Sequence, residues 1–166
     1  LVIREKKKNN DNRIKIWSAA CSTGEEPYTL SIILQEMLDD PENWDLSIIA
    51  SDINTDVLQS ARIGLYDHRS VRDVPVEYFE KYFSASDGKF LIRKEIKQRI
   101  QFRKINLMDS KALSKITGCD FIFCRNVLIY FDDLSRKKVL DDFYHSLNPG
   151  GYLFLGHSES VGRISS

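Results

Sequence analysis

The chain is 166 residues long, 42% apolar and 29% charged, which is the make-up of one ordinary folded domain with room for a core. Its 24 Lys and Arg balance 24 Asp and Glu, so the basic excess that nucleic-acid binding draws on is missing. No stretch approaches the ~18 consecutive apolar residues of a membrane span, and no signal-peptide pattern opens the chain, so direct membrane insertion is not expected.

Residues 1–12 are polar and charged, with a basic run from Arg4 to Lys8, and Asn9-Asn10-Asp11-Asn12 closes them. They read as the remnant of a linker, or the end of a helix, and the initial Leu1 agrees with a beginning cut away. A single domain is expected over 13–166. Ile14 to Ala19 is a short apolar run ending in the turn Cys21-Ser22-Thr23-Gly24, a strand and its loop. A helix begins near Glu25, where Leu30, Ile33, Leu34 and Met37 repeat at i, i+3, i+4, i+7 and predict one buried stripe. Leu46 to Ser51 is a second strand, apolar enough for burial on both faces. Asn54 or Thr55 caps the next helix, which Val57, Leu58 and Ala61 line and Gly64 stops.

The rhythm breaks between Leu65 and Gln98. Pro75 to Phe83 predicts a short helix, Asp87-Gly88 a turn, and Phe90 to Arg93 a strand with Phe90 and Ile92 inward and Leu91 outward. This region, 65–98, is expected as an insertion beside the sheet. Arg99 to Ile105 is a third strand and Asp120 to Cys124 a fourth. Asp133 to Leu147 is a helix with Leu140, Phe143, Tyr144 and Leu147 on one face. Asn148-Pro149-Gly150-Gly151 predicts a turn, and Tyr152 to Leu155 a fifth strand. Strands alternating with helices make the fold class α/β, a doubly wound, mostly parallel sheet.

In such sheets ligands bind at the carboxyl ends of the strands, where the strand order reverses. Ser22-Thr23-Gly24-Glu25-Glu26 occupies that place after the first strand. Gly24 lets the backbone approach a ligand, but G-x-G-x-x-G is not formed, and Glu25 and Glu26 repel a pyrophosphate. An acidic loop with one glycine suits a ligand with a cationic end and no phosphate, as in S-adenosylmethionine. Asp52, at the end of the second strand, can accept both ribose hydroxyls or cap the following helix. Asn106 and Leu107, at the end of the third, offer an amide and an apolar contact to an adenine, or simply a turn. Arg125 and Tyr130, after the fourth, can pair with a carboxylate and place a ring and hydroxyl at the cleft; otherwise they are a surface ion pair and a core ring.

His157-Ser158-Glu159 suggests a hydrolase, yet neighbours along a strand point to opposite faces and no G-x-S-x-G elbow exists. No G-x-x-x-x-G-K-[ST] loop is present either. The three cysteines, Cys21, Cys119 and Cys124, lack CxxC spacing. They fit neither a disulfide framework nor a zinc site, and they point to the cytoplasm.

Four segments in order resemble the CheR family of chemoreceptor glutamate methyltransferases. They are Trp17 to Tyr28, Ala50-Ser51-Asp52-Ile53-Asn54, Phe123 to Phe131, and Gly156-His157-Ser158-Glu159. The resemblance implies a class I S-adenosylmethionine-dependent methyltransferase fold with a small antiparallel β-subdomain in the insertion. It implies methyl transfer from S-adenosylmethionine to glutamates on the cytoplasmic helical bundle of chemoreceptors, leaving S-adenosylhomocysteine. By it, Ser22, Thr23 and Gly24 form the cofactor loop. Glu26, Asp52, Asn106, Leu107, Arg125 and Asn126 hold the cofactor, and Tyr130 lies near the reactive methyl. In some members the β-subdomain docks a peptide at the receptor's C-terminus. The family's helical N-terminal domain, a linker Arg and a closing hairpin are not in the sequence, so a core fragment is expected. Two other readings are a non-catalytic S-adenosylmethionine sensor or scaffold, and a class I methyltransferase for another substrate. An N-P-P-[YF] motif, which favours methylation of base amino groups, is not found.

Overall fold

The computed structural model describes residues 1–157 and Glu159. Helix α1 (Val2–Lys8) precedes strand β1 (Arg13–Ala19), helix α2 (Glu25–Met37), strand β2 (Asp45–Asp52) and helix α3 (Thr55–Ile63). The insertion follows: β3 (Leu65–Tyr66), α4 (His68–Val71), α5 (Val76–Tyr82), β4 (Phe83–Ser86), β5 (Lys89–Ile92) and α6 (Lys94–Lys97). Then come β6 (Ile100–Lys104), α7 (Ser110–Leu113), β7 (Cys119–Cys124), α8 (Asp133–Ser146) and β8 (Leu147–Leu155).

Five strands form one parallel sheet in the order β6-β2-β1-β7-β8, and the expected doubly wound topology is present. Both faces are covered, which is why the second halves of β1 and β2 are almost continuously buried. On one face Ile14, Ile16, Ile48 and Ala50 pack under Leu30 and Leu34 of α2, Leu58 of α3 and Ile92 of the insertion. On the other, Trp17, Ala19 and Ile49 pack under Leu113 of α7 and Val139 and Phe143 of α8. Trp17 meets Phe143 edge to face at 5.0 Å, and its indole N–H donates to Ser51 Oγ at 2.9 Å, so the largest core side chain carries no orphaned donor. No helix among the described residues is long and apolar enough to cross a membrane.

The smaller sheet, β3-β5-β4, is antiparallel and lies in the insertion as expected. Asp87 and Gly88 both adopt positive φ (47° and 74°), the pairing a two-residue hairpin turn demands. The expected alternation along β5 is blunter: Ile92 is buried, whereas Phe90 and Leu91 are both half-buried.

Three packing expectations are corrected. On α2 the buried stripe is Pro27, Tyr28, Leu30, Ser31 and Leu34, while Ile33 and Met37 are 43% and 64% exposed. The helix is apolar on two flanks, and Ser31 faces inward because its hydroxyl donates to Ile96 O at 2.9 Å. Ile33 and Met37 line a groove against the insertion, with Val74 and Tyr78 opposite. On α8 the inward face is Val139, Phe143 and Ser146; Tyr144 is 76% exposed. The expected turn at Asn148–Gly151 is instead an irregularity inside β8, where pairing jumps from Cys119↔Leu147 to Phe121↔Tyr152. Asn148 Nδ2 ties this bulge to β7, donating to Gly118 O (3.1 Å) and Asp120 Oδ1 (2.9 Å).

The first residues hold to the sheet through charge. Lys6 Nζ lies 3.0 Å from both Asp11 Oδ2 and Asp120 Oδ1, and Asp120 is buried at the amino end of β7. Burial works against the Lys6 charge, but the two carboxylates outweigh it and raise the Lys6 pKa above its ordinary value.

Candidate functional site

The sheet reverses its winding between β1 and β7, whose last residues Ala19 and Cys124 pair. The chain leaves β1 for α2 on one face and β7 for α8 on the other, which opens a crevice at this edge.

The loop after β1 has three left-handed residues: Ala20 (φ 58°), Ser22 (φ 49°) and Gly24 (φ 93°). Non-glycine residues pay for that conformation, and here several bonds offset the cost. Cys21 N donates to Ser51 O (2.9 Å), Gly24 N to Cys21 O (3.0 Å) and Ser22 N to Asp52 Oδ2 (2.9 Å). Tyr66 of the insertion donates its hydroxyl to Thr23 O at 2.8 Å, and the Thr23 hydroxyl in turn donates to the Glu25 carboxylate. Gly24 also serves packing. A Cβ there would fall 2.9 Å from Ala61 Cβ and 3.1 Å from Tyr66 Oη, so its missing side chain admits α3 and the insertion.

Asp52 joins the first two loops. Its Oδ2 accepts Ser22 N and its Oδ1 accepts Asn54 N at 3.0 Å, while Asn54 itself caps α3 through Asp56 N and Val57 N. A carboxylate has about four lone-pair sites, so each oxygen keeps capacity for another donor. Glu26, in the first turn of α2, accepts the Ser18 hydroxyl on Oε1 at 2.7 Å, and its Oε2 lies 3.9 Å from Arg125 Nη1. Burial raises the Glu26 pKa, against the pull of Ser18 and Arg125. Cys21 beneath them is pushed up to about 12 by burial and then by Asp52 and Glu26, so it stays a thiol.

Asn106, exposed beyond β6, accepts Met108 N on Oδ1 (3.0 Å) and Asp109 N on its carbonyl (2.9 Å) in a tight turn. Leu107 turns inward, 7% exposed, and packs with Ile105 and Leu113. Of this pair, the Asn106 side chain faces the solvent edge.

After β7, Arg125 is exposed, Asn126 is left-handed (φ 59°), and Leu128–Tyr130 form a 3₁₀ turn. Leu128 is fully buried, and Tyr130 is 82% exposed at the rim. Arg136 of α8 braces the far end of this loop through Leu128 O (3.4 Å) and Phe131 O (3.2 Å). The sequence assigned no role to Glu159, yet its carboxylate receives Asn126 N (3.0 Å), Val127 N (2.9 Å), Leu128 N (2.7 Å) and Gly156 N (2.6 Å). The Gly156-His157-Ser158-Glu159 segment was the available signal; Ser158 lies outside the described residues.

A family model described as the CheR methyltransferase, SAM binding domain, matches residues 1–165. The chain belongs to the CheR methyltransferase family. It is 49% identical over 154 residues to chemotaxis protein methyltransferase 2 of Vibrio cholerae serotype O1, covering 92% of this chain and 54% of that protein. It is 40% identical over 163 residues to the chemotaxis protein methyltransferase of Borreliella burgdorferi, covering 96% and 57%, and 37% identical over 155 residues to that of Escherichia coli, covering 90% and 53%. The chain thus spans little more than half the length of these curated relatives. In fold it is similar to an O-methyltransferase family protein from Burkholderia thailandensis (TM-score 0.54, 16% identity, 92% of this chain and 35% of that one). It is similar also to the citrinin polyketide synthase CMeT domain (TM-score 0.54, 14% identity, 86% and 28%).

S-adenosylmethionine is the cofactor of this CheR domain, and the donor set at the crevice fits it. Two carboxylates, Glu26 and Asp52, bound the first loop and disfavour a phosphate, while they suit an ammonium and a pair of hydroxyls.

Proposed function

We propose that the protein transfers the methyl group of S-adenosylmethionine to glutamate side chains on the cytoplasmic helical bundle of chemoreceptors, acting in the cytoplasm. The observation that carries this reading is the meeting of Glu26, Asp52 and Arg125 at one sheet edge. Asp52 is fixed by Ser22 N and Asn54 N, and Glu26 lies 3.9 Å from Arg125. The names of the relatives support the chemotactic setting.

When bound, S-adenosylmethionine supplies an electrophilic methyl on its sulfonium. Glu26 binds the ammonium, Asp52 accepts from the ribose hydroxyls, and the Asn106 amide meets the adenine edge beside Leu107. The Ser22-Thr23-Gly24 backbone shapes the floor, and Asn126 flanks the cofactor from the β7 side. An acceptor glutamate is ionised at neutral pH, with a reference pKa of about 4.3, so no general base is needed. What remains is alignment and exclusion of water. Arg125, half-exposed, orients the acceptor carboxylate, and the Tyr130 ring and hydroxyl close over the reacting groups. The β3-β5-β4 sheet offers β4 as a free edge for a receptor C-terminal peptide.

The test is incubation of the protein with labelled S-adenosylmethionine and receptor cytoplasmic fragments, scoring base-labile methyl ester. Ester formation supports the reading. Cofactor binding without turnover points to a sensor, and base-stable label to a different acceptor.

A further inference from the structure

Glu159 lies 31 to 33 positions from the three loop residues it holds, and its carboxylate is the hub of the β7 loop. Oε1 accepts Val127 N and Leu128 N; Oε2 accepts Asn126 N and Gly156 N, all within 3.0 Å. Its own N–H donates to Gly156 O at 3.0 Å, so the clamp is anchored directly beyond β8. Gly156 has no alternative at this point: a Cβ there would fall 2.5 Å from Asn126 Oδ1 and 2.6 Å from Glu159 Oε2.

The clamped N–H groups come from three successive residues in a conformation that a free chain resists. Asn126 is left-handed at φ 59°, and the 3₁₀ turn starts immediately after Val127. Three N–H groups converging on one anion form a concave cradle of the kind that binds anions, here filled from within the chain. The residues set by this geometry are Arg125 on one side, 3.9 Å from Glu26, and Tyr130 on the other. Arg136 restrains only carbonyls at the distal end of the loop.

We propose that Glu159 is a positioning residue for methyl transfer: by gathering the N–H groups of residues 126–128 it fixes Arg125 and Tyr130 relative to the cofactor site. With four N–H groups on its carboxylate, it acts through the loop and not as a catalytic residue. The proposal rests on the methyltransferase reading for its kinetic arm alone. Misplacement by about 1 Å at a reacting centre costs on the order of a hundredfold in rate, which sets the expected effect.

The experiment uses Glu159→Ala and Glu159→Gln in the protein. Amide hydrogen exchange, calorimetry with S-adenosylmethionine, and kcat and KM with receptor fragments are measured on each. In Glu159→Ala the amides of 126–128 exchange about tenfold faster or more, while those of β1 and β2 keep wild-type protection. Its kcat falls about a hundredfold, and cofactor affinity changes by less than about tenfold. Glu159→Gln keeps one acceptor oxygen and so serves one pair of N–H groups; its kcat falls between the two. Wild-type kcat and protection in Glu159→Ala overturn the proposal. So does loss of protection throughout β1 and β2 in both variants, which makes Glu159 a residue of the fold alone. If wild-type protein forms no receptor ester, the substrate reading fails, and exchange together with cofactor affinity still judges the clamp.

Discussion

The loops after β1 and after β7 flank the same crevice and are held in different ways. The first is pinned from several directions: by the Ser51 carbonyl and the Asp52 carboxylate from β2, by Tyr66 from the insertion, and by the fit of Gly24 against Ala61. The second takes its near end from Glu159 and its far end from Arg136. The first therefore behaves as part of the core, with the groups proposed to hold the cofactor preset. The second is a mounted arm, whose aim depends on few contacts. Binding should be sensitive to the first loop, and turnover to the second.

Breaking the link between β2 and the first loop should have the largest effect. Asp52→Ala removes the acceptor of Ser22 N and, in the proposed site, of the ribose hydroxyls. Hydrogen bonds to a charged acceptor are worth about 1.5–3 kcal/mol each, so cofactor affinity should fall on the order of a hundredfold or more. Calorimetry checks this, and unchanged affinity removes Asp52 from the site. Gly24→Ala attacks the same loop through packing. With φ at 93° and Ala61 Cβ only 2.9 Å from the new methyl, it should cost about 1–3 kcal/mol of stability. Thermal melting reads this as a lowered Tm, and a wild-type Tm would mean that α3 yields.

On the second loop, Tyr130→Phe should leave Tm and cofactor affinity unchanged, because the ring is 82% exposed. Only kcat should fall, by about tenfold, since alignment is felt in the transition state. Wild-type turnover in the variant means that the hydroxyl is idle.

The smallest effect expected is with pH. Glu26 has its pKa raised above the ordinary 4.5 by burial. Its carboxylate, the form proposed to bind the cofactor's ammonium, is complete at pH well above that raised pKa and is lost as pH falls through it. The folded protein also holds a proton there that the unfolded chain lacks, so Glu26's contribution to stability declines as pH rises through the same window. Cofactor affinity in wild type should therefore weaken modestly below neutral pH, and Glu26→Gln should bind more weakly with a flatter profile. Identical slopes in the two proteins would assign the pH dependence elsewhere.

Much of the first loop was legible in the sequence, because its cues are local. Gly24, Glu26 and the capping Asn54 stand beside the strands that carry them, and β1 and β2 announce themselves by burial on both faces. The second loop was legible only as a motif. Its hub is more than thirty positions away, and nothing local marks Glu159 as the acceptor for residues 126–128. The same limit explains the misread helix faces. On α2, Ile33 and Leu34 are equally apolar, and only the carbonyl of Ile96, brought in by the insertion, turns Ser31 inward. Leu107 also packs in the core beside Leu113, a contact that its place at a strand end does not announce.

The measurement closest to the central claim is peptide mapping by tandem mass spectrometry of receptor cytoplasmic fragments, after reaction with isotope-labelled S-adenosylmethionine and the protein. The account predicts label on glutamate side chains as methyl ester, released by mild base and greatly reduced with Asp52→Ala. Label on lysine or arginine, or ester formed equally well without the Asp52 carboxylate, would contradict it.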